Sequence, residues 1–160
     1  MTVRHDYDPD VDFSAFSTYD WMPKLDSDKE VKSMLSGPFL GKRIKKAVVE
    51  GMAAKGFERT TQEPNFLIAY HVTYKRMSDV DVHGHGYGSY GYGYGHWGPY
   101  TEVREHTEGT LILDFVDPVS KQLIWRGWSI STLNPHRSPK EEQDNINWAT
   151  AEILKRFPPY

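Results

Sequence analysis

Hydrophobic and polar residues alternate in several stretches of the chain, which is the pattern of strands with one buried face. Val3, His5 and Tyr7 alternate with polar residues near the start, and a short extended stretch covers Thr18 to Trp21. Further strands are predicted over residues 65–74, 101–106, 109–117 and 122–131. The last two are joined through Pro118, which presets a turn, and are therefore expected to form an antiparallel hairpin.

Two longer stretches have apolar residues at spacings of three and four, which is typical of amphipathic helices. The first is expected to begin at Pro38 and to end at Gly56. The second covers Ser138 to Phe157, and Glu141 follows Ser138 at the spacing of a capping box. Two such helices and an antiparallel sheet predict an α+β fold, a two-layer sandwich in which both helices pack on one face of the sheet.

Composition and charge narrow the class of protein. The chain has 19 Lys and Arg against 22 Asp and Glu, for a net charge of −3, and no concentrated basic stretch. Binding to nucleic acid is therefore not expected. No Cys is present, which excludes disulfides and thiolate metal sites. The mean hydropathy of −0.65 and the absence of an apolar run of about 18 residues exclude a membrane-spanning helix.

Several short motifs along the chain match the pattern of a known family. They are Asp6-Tyr7-Asp8-Pro9, Thr18-Tyr19-Asp20-Trp21, Ala53-Ala54-Lys55-Gly56-Phe57, Gly109-Thr110-Leu111-Ile112-Leu113-Asp114, Ile124-Trp125-Arg126-Gly127 and Phe157-Pro158-Pro159. Together they resemble the DUF4136 family, small bacterial envelope proteins of unknown function. The similarity extends over nearly the whole chain, so a single domain over residues 1–160 is expected.

The resemblance also implies a cellular location. Members of the family look like lipoproteins, made with a signal peptide and a lipid-carrying Cys just before the domain. This chain shows neither feature. Either both belong to a longer precursor from which it was trimmed, which we expect, or this member of the family is not exported. The resemblance thus implies a protein on the periplasmic side of the envelope, attached to the outer membrane only through that lipid anchor.

A glycine-rich segment at about residues 78–101 is the strongest anomaly in composition. Residues 82–100 contain seven Gly, five Tyr and three His, and no charged residue. The simplest interpretation is a loop between two strands. A second is a transition-metal site, in which His83, His85 and His96 hold Cu, Ni or Zn through their imidazoles. A third is an adhesive aromatic surface, with Tyr92 among its residues, for a glycan or a second copy of the chain.

The last predicted strand supplies a second candidate binding site. Trp125 and Trp128 are three residues apart and so project from opposite faces, with Arg126 between them. At least one tryptophan is therefore expected to reach the face that the helices leave uncovered, near His71 or Arg126. An exposed indole beside a guanidinium group suits a planar ring or a sugar.

Motifs of common enzymes are absent from the sequence, including the nucleophile elbow, the phosphate-binding loop and the zinc-protease helix. His106 with Glu108 and Asp114 is the nearest approach to an acid–base set. The sequence thus predicts a non-catalytic binding or structural module of the cell envelope that requires no cofactor. Its partner is an envelope component or a second copy. The alternatives are a transition-metal binding protein and a small hydrolase with an unrecognised site.

Overall fold

The structure is a computed structural model that describes residues 1–23, 38–83 and 100–160. Side chains are described for all of these residues except 79–83 and 100–104. The described residues form six strands, two helices and a short 3-10 helix at Phe13–Ala15. In chain order the strands and helices are β1 (Thr2–Tyr7), β2 (Thr18–Trp21), α1 (Leu40–Ala54), β3 (Glu58–Arg59), β4 (Phe66–His83), β5 (Tyr100–Val116), β6 (Leu123–Leu133) and α2 (Pro139–Leu154). The fold class is therefore α+β, as predicted.

The six strands form one sheet in the order β1-β6-β5-β4-β2-β3. The pairs β1–β6, β6–β5 and β5–β4 are antiparallel, and the hairpin of β5 and β6 is confirmed. However, β2 lies parallel to both β3 and β4, so the prediction of a purely antiparallel sheet is wrong and the sheet is mixed. The chain between β2 and β3 contains α1, and such a long crossover connection is what allows parallel neighbours.

The C-terminus of α1 and the N-terminus of α2 are set by local sequence signals. Gly56 lies just beyond α1 with φ of +83°, which a glycine adopts without steric cost, and the Phe57 N–H donates to the Met52 carbonyl over 3.0 Å. In α2 the predicted capping box is present, because the side chains of Ser138 and Glu141 each accept from the other's backbone N–H. The first helix begins at Leu40, two residues later than expected.

The hydrophobic core contains residues of both helices and of the sheet. Buried residues of α1 and α2 belong to the same cluster as buried residues of β4, β5 and β6. The cluster includes Ile44, Val48 and Met52 from α1, Ala149, Ile153 and Leu154 from α2, and Phe66, Ile68, Leu113, Phe115 and Trp125 from the sheet. Phe157 lies among these rings, 4.6 Å from Phe115 and 5.3 Å from Trp125 between ring centroids.

Two strands are longer than their sequence pattern indicates. β4 continues to His83 and β5 begins at Tyr100, so the strands extend into the segment predicted as a loop at 78–101. The glycine-rich composition begins only at Gly84, and the preceding residues, such as Val80, suit a strand. β5 is continuous through Gly109, which pairs with Tyr74 of β4 and Ser131 of β6. The side chain of Leu133 occupies the space where a Cβ of residue 109 would lie.

Candidate functional site

The sheet face opposite the core carries a group of charged and apolar side chains. Side chains alternate along a strand, so residues next to buried Trp125 and Phe115 project from this other face. The register then aligns their neighbours, with Asp114 opposite Arg126 and Ile112 opposite Trp128. We call the group the Arg126 face; it consists of Arg4, Asp6, His71, Ile112, Asp114, Arg126, Trp128 and Ile130.

Asp114 and Arg126 form a two-point ion pair at the centre of this face. The guanidinium Nε and Nη2 donate to the two carboxylate oxygens over 2.6 and 2.7 Å. The Asp114 side chain is 8% exposed, whereas that of Arg126 is 44% exposed. The hydrogen bonds that Arg126 donates to Asp114 raise the pKa of the guanidinium group. The buried carboxylate thus holds the guanidinium group in one orientation, while the outer edge of the guanidinium group stays exposed.

His71 is a third member of the charged group. Its Nε2 lies 3.3 Å from Oδ2 of Asp114, and its side chain is 48% exposed. In the register it lies opposite Ile112, one row away from the ion pair. The carboxylate of Asp114 therefore has a polar partner on each of two neighbouring strands, β4 and β6. This arrangement leaves the imidazole at the surface beside Arg126.

Trp128 supplies the apolar part of the face. It is half-buried, and its neighbours across the sheet are Ile112 on β5 and Arg4 on β1. Ile130 continues the apolar row along β6 and is also half-buried. The register places Arg4 beside Trp128, and Arg126 lies two positions before Trp128 on β6. An indole with arginines at neighbouring positions offers an apolar surface and hydrogen-bond donors, which can hold a ring or a sugar.

The two predicted tryptophans are separated by the fold. Trp125 is 0% exposed and packs against Phe115 with ring centroids 4.6 Å apart, so it belongs to the core and cannot reach a ligand on the Arg126 face. Trp128 and Arg126 remain together on that face. Sequence reasoning missed the partner of Arg126, although the hairpin register around the Asp117 turn places Asp114 opposite it.

The remaining predicted site residues belong to the glycine-rich segment. His83 is the last residue of β4, whereas His85, Tyr92 and His96 lie outside the described residues. The metal site therefore stays a prediction. Within residues 1–23, 38–83 and 100–160, no group of three His, Asp or Glu side chains is placed to hold a metal ion.

The suggested acid–base set is not brought together. His106 Nε2 lies 3.7 Å from a Glu108 oxygen, but Asp114 pairs with Arg126 and His71 instead. A concave region of about 390 Å³ lies beside His106, and Arg76, Arg137 and Glu142 are among its lining residues. Its charges are of both signs and come from strands and from α2, so no local sequence pattern indicates it.

Known structures share this fold at low sequence identity. A PDZ domain protein from Parabacteroides distasonis matches with a TM-score of 0.59 and 11% identity, over 99% of this chain and 35% of that protein. The chain thus spans about a third of that protein's length. PelC from Paraburkholderia phytofirmans, solved as a dodecamer, matches with a TM-score of 0.53 and 11% identity, over 96% of each chain. No curated protein sequence matches significantly.

The α-helices also bear on membrane association. In the described parts of the chain, neither helix is both long and apolar enough to cross a bilayer.

One family profile, described as a domain of unknown function, matches residues 3–159 and so includes both the core and the Arg126 face. The chain therefore belongs to the DUF4136 family, as its motifs predict.

Proposed function

We propose that this protein is a non-catalytic binding module of the cell envelope that holds a glycan on the Arg126 face. The observation that carries the proposal is the half-buried indole of Trp128 beside a guanidinium group whose orientation Asp114 fixes. The apolar face of a sugar ring packs on an indole, and hydroxyl or carboxylate oxygens accept from arginine. Peptidoglycan strands offer both kinds of group.

The geometry lowers the entropic cost of binding. Arg126 is already held by two hydrogen bonds, so little side-chain freedom is lost when a ligand binds it. Its Nη1, which has no partner among the described residues, is available to an oxygen of the ligand. Trp128 lies on a central strand of the sheet, where the backbone is constrained by neighbours on both sides.

The proposal includes the two-layer arrangement, with α1 and α2 together on one side of the sheet. It is supported by the shared core cluster, which contains buried residues of both helices and of β4, β5 and β6. The exposure of His71 and Arg126, 48% and 44% for their side chains, supports a free surface on the other side. A ligand then has access to the Arg126 face without any movement of the helices.

We further propose that the module acts on the periplasmic side of the envelope, where a lipid anchor in the precursor holds it at the outer membrane. The support is the resemblance to envelope lipoproteins carried by the DUF4136 motifs. In that location a surface for peptidoglycan strands would face its ligand directly. The binding test below does not depend on the anchor.

Calorimetric titration with soluble peptidoglycan strands tests the binding proposal. We expect the wild-type protein to bind and Trp128→Ala to bind at least about tenfold more weakly. Trp148→Ala is the matched control, because Trp148 is 51% exposed but lies on α2. It should bind as the wild type does. Absence of binding by the wild type, or an equal loss in both variants, would contradict the proposal.

A further inference from the structure

The first strand, β1, is an edge strand of the sheet. It pairs with β6 through six consecutive residues without a bulge, and within residues 1–23, 38–83 and 100–160 no strand lies on its other side. The opposite edge, β3, has only two residues. Proteins commonly blunt an edge by shortening it, bulging it or placing charged residues or Pro along it. β3 is blunted by its length, whereas β1 has no bulge and no proline and carries one charge of each sign, Arg4 and Asp6.

The backbone groups of β1 that face outward can be identified from one hydrogen bond. The Asp8 N–H donates to the Ile124 carbonyl of β6 over 2.9 Å. Because the bonding direction alternates along a strand, the odd-numbered residues Val3, His5 and Tyr7 direct their N–H and C=O groups away from β6. In the described part of the chain, the outward groups of Val3 and His5 have no hydrogen bond. The Tyr7 N–H donates to the Asp6 side chain instead.

We propose that β1 pairs antiparallel with β1 of a second copy of this chain, with His5 opposite His5 at a two-fold axis. His5 then exchanges both of its outward hydrogen bonds with its counterpart. Arg4 lies opposite Asp6 of the second copy, and this pair occurs twice by symmetry. Val3 and Tyr7 lie opposite each other on the other face. The occupant is a second copy because the charges of β1 complement themselves in this register.

Neighbouring registers with the same bonding pattern each oppose like charges. A shift by one bonding step places Arg4 opposite Arg4, and a shift in the other direction places Asp6 opposite Asp6 and Arg4 opposite Asp8. Like charges directly opposite each other destabilise a strand pair. Both residues are exposed in the single chain, so neither charge must leave a buried partner to form the pair. Of these three registers, the one centred on His5 is the one in which no like charges lie opposite each other.

In the single chain, the side chain of Asp6 occupies one outward N–H group of this edge, and it can release that group when a second strand pairs there. Its carboxylate accepts from the Tyr7 N–H over 2.9 Å in the single chain. In the proposed pair, the Tyr7 N–H donates to the Val3 carbonyl of the second copy, and the freed carboxylate meets Arg4 of that copy. One hydrogen bond is thus replaced by a backbone bond and an ion pair. The inference does not depend on the proposed glycan binding, because β1 pairs through its outer edge.

Sedimentation velocity of charge-reversed variants tests this pairing. We expect the wild type to dimerise as its concentration is raised to about 1 mM. Arg4→Glu and Asp6→Lys should each be monomeric, because each variant opposes like charges twice. An equal mixture of the two variants should dimerise, because opposite charges then face each other at both positions. Lys46→Glu, an exposed reversal on α1, should dimerise as the wild type does.

A backbone variant gives an independent check. His5→Pro removes an N–H that points away from β6, and proline is tolerated on edge strands. This variant should keep the thermal unfolding curve of the folded chain but remain monomeric. A wild-type protein that is monomeric at every concentration, a single charge variant that dimerises normally, or a variant mixture that stays monomeric would each overturn the proposal.

Discussion

At the scale of single residues, Asp114 is the group on which the candidate site depends. Its carboxylate is almost buried, is paired with Arg126 and lies 3.3 Å from Nε2 of His71. A buried carboxylate that loses its main partner costs free energy, because it has already lost its water. Arg126 therefore both presents donors to a ligand and neutralises the carboxylate beneath it.

Replacing Arg126 is expected to destabilise the fold as well as the site. Arg126→Ala should lower the free energy of unfolding by about 1–3 kcal/mol, measured by urea denaturation, because Asp114 is left with only His71. Arg4→Ala is the control, since Arg4 lies on the same face but is exposed and forms no ion pair with a buried group in the described part of the chain. Equal stability of the two variants would show that the ion pair between Asp114 and Arg126 does not stabilise the fold.

Asp117 predicts the behaviour of the protein in acid. Hydrogen bonds from the backbone of Ser120 and Val119 hold the pKa of Asp117 below its usual value. A carboxylate with a lower pKa in the folded state contributes stability above the pKa of the unfolded chain, at about pH 4, and loses it as the pH falls through the folded value. Asp117→Asn should therefore lose less thermal stability than the wild type when the pH falls from about 5 to about 2. These values lie about one to two units above and below the pKa of the unfolded chain. Parallel melting curves would contradict this account.

The chemistry of single residues was only partly predictable from the sequence. Alternation along β6 places Trp125 and Trp128 on opposite faces, which the burial of Trp125 confirms. The partner of Arg126 was not predicted, because Asp114 is twelve positions away and the pair depends on hairpin register. His106 and Glu108 are close in sequence, yet closeness along the chain did not bring Asp114 to them.

At the scale of elements, Gly127 sets the distance between β6 and α2. A Cβ at this position would overlap the Trp125 ring and lie 2.6 Å from Cγ2 of Ile153 on α2. The indole of Trp125 thus packs over its own strand, in space that only glycine leaves free. This contact couples the core side of β6 to the helix while Arg126 and Trp128 project from the other side.

Gly127→Ala should lower the free energy of unfolding by about 1–3 kcal/mol, because a ring and a helix must both move. Gly51→Ala is the comparison: its Cβ would meet the flexible end of Leu154 at 2.6 Å, and alanine favours the helix α1 by about 1 kcal/mol. We expect its stability to change less, measured by the same denaturation curves. A larger loss for Gly51→Ala would refute the role assigned to Gly127.

Elements with strong local signals agree with their predictions. β1 and β2 have the predicted bounds, and α2 starts at its predicted capping box. The two-residue strand β3 and the 3-10 helix were not predicted, because neither is long enough to show a period. The parallel pairing of β2 was also missed, since it depends on where the crossover through α1 returns the chain.

At the scale of the whole molecule, the strand residues divide between two faces of the sheet. On one face, Phe66, Phe115 and Trp125 belong to a core cluster that also contains residues of α1 and α2, and the other face is the Arg126 face. The local pattern predicts which residues alternate between these faces, but the order of strands depends on contacts far apart in sequence. The α+β class was therefore predictable, whereas the mixed sheet and the row of Arg4, Trp128, Ile112 and His71 were not.

The central claim is that a glycan binds on the Arg126 face, and nuclear magnetic resonance of the tryptophan indoles tests it most directly. The chain has five tryptophans, so each indole N–H gives a signal that single substitutions assign. On titration with soluble peptidoglycan strands, the signal of Trp128 should shift together with the backbone amides of Ile112 and Arg126. The signal of Trp148 on α2 should stay in place. Shifts at Trp148 without any at Trp128, or no shifts at all, would contradict the account.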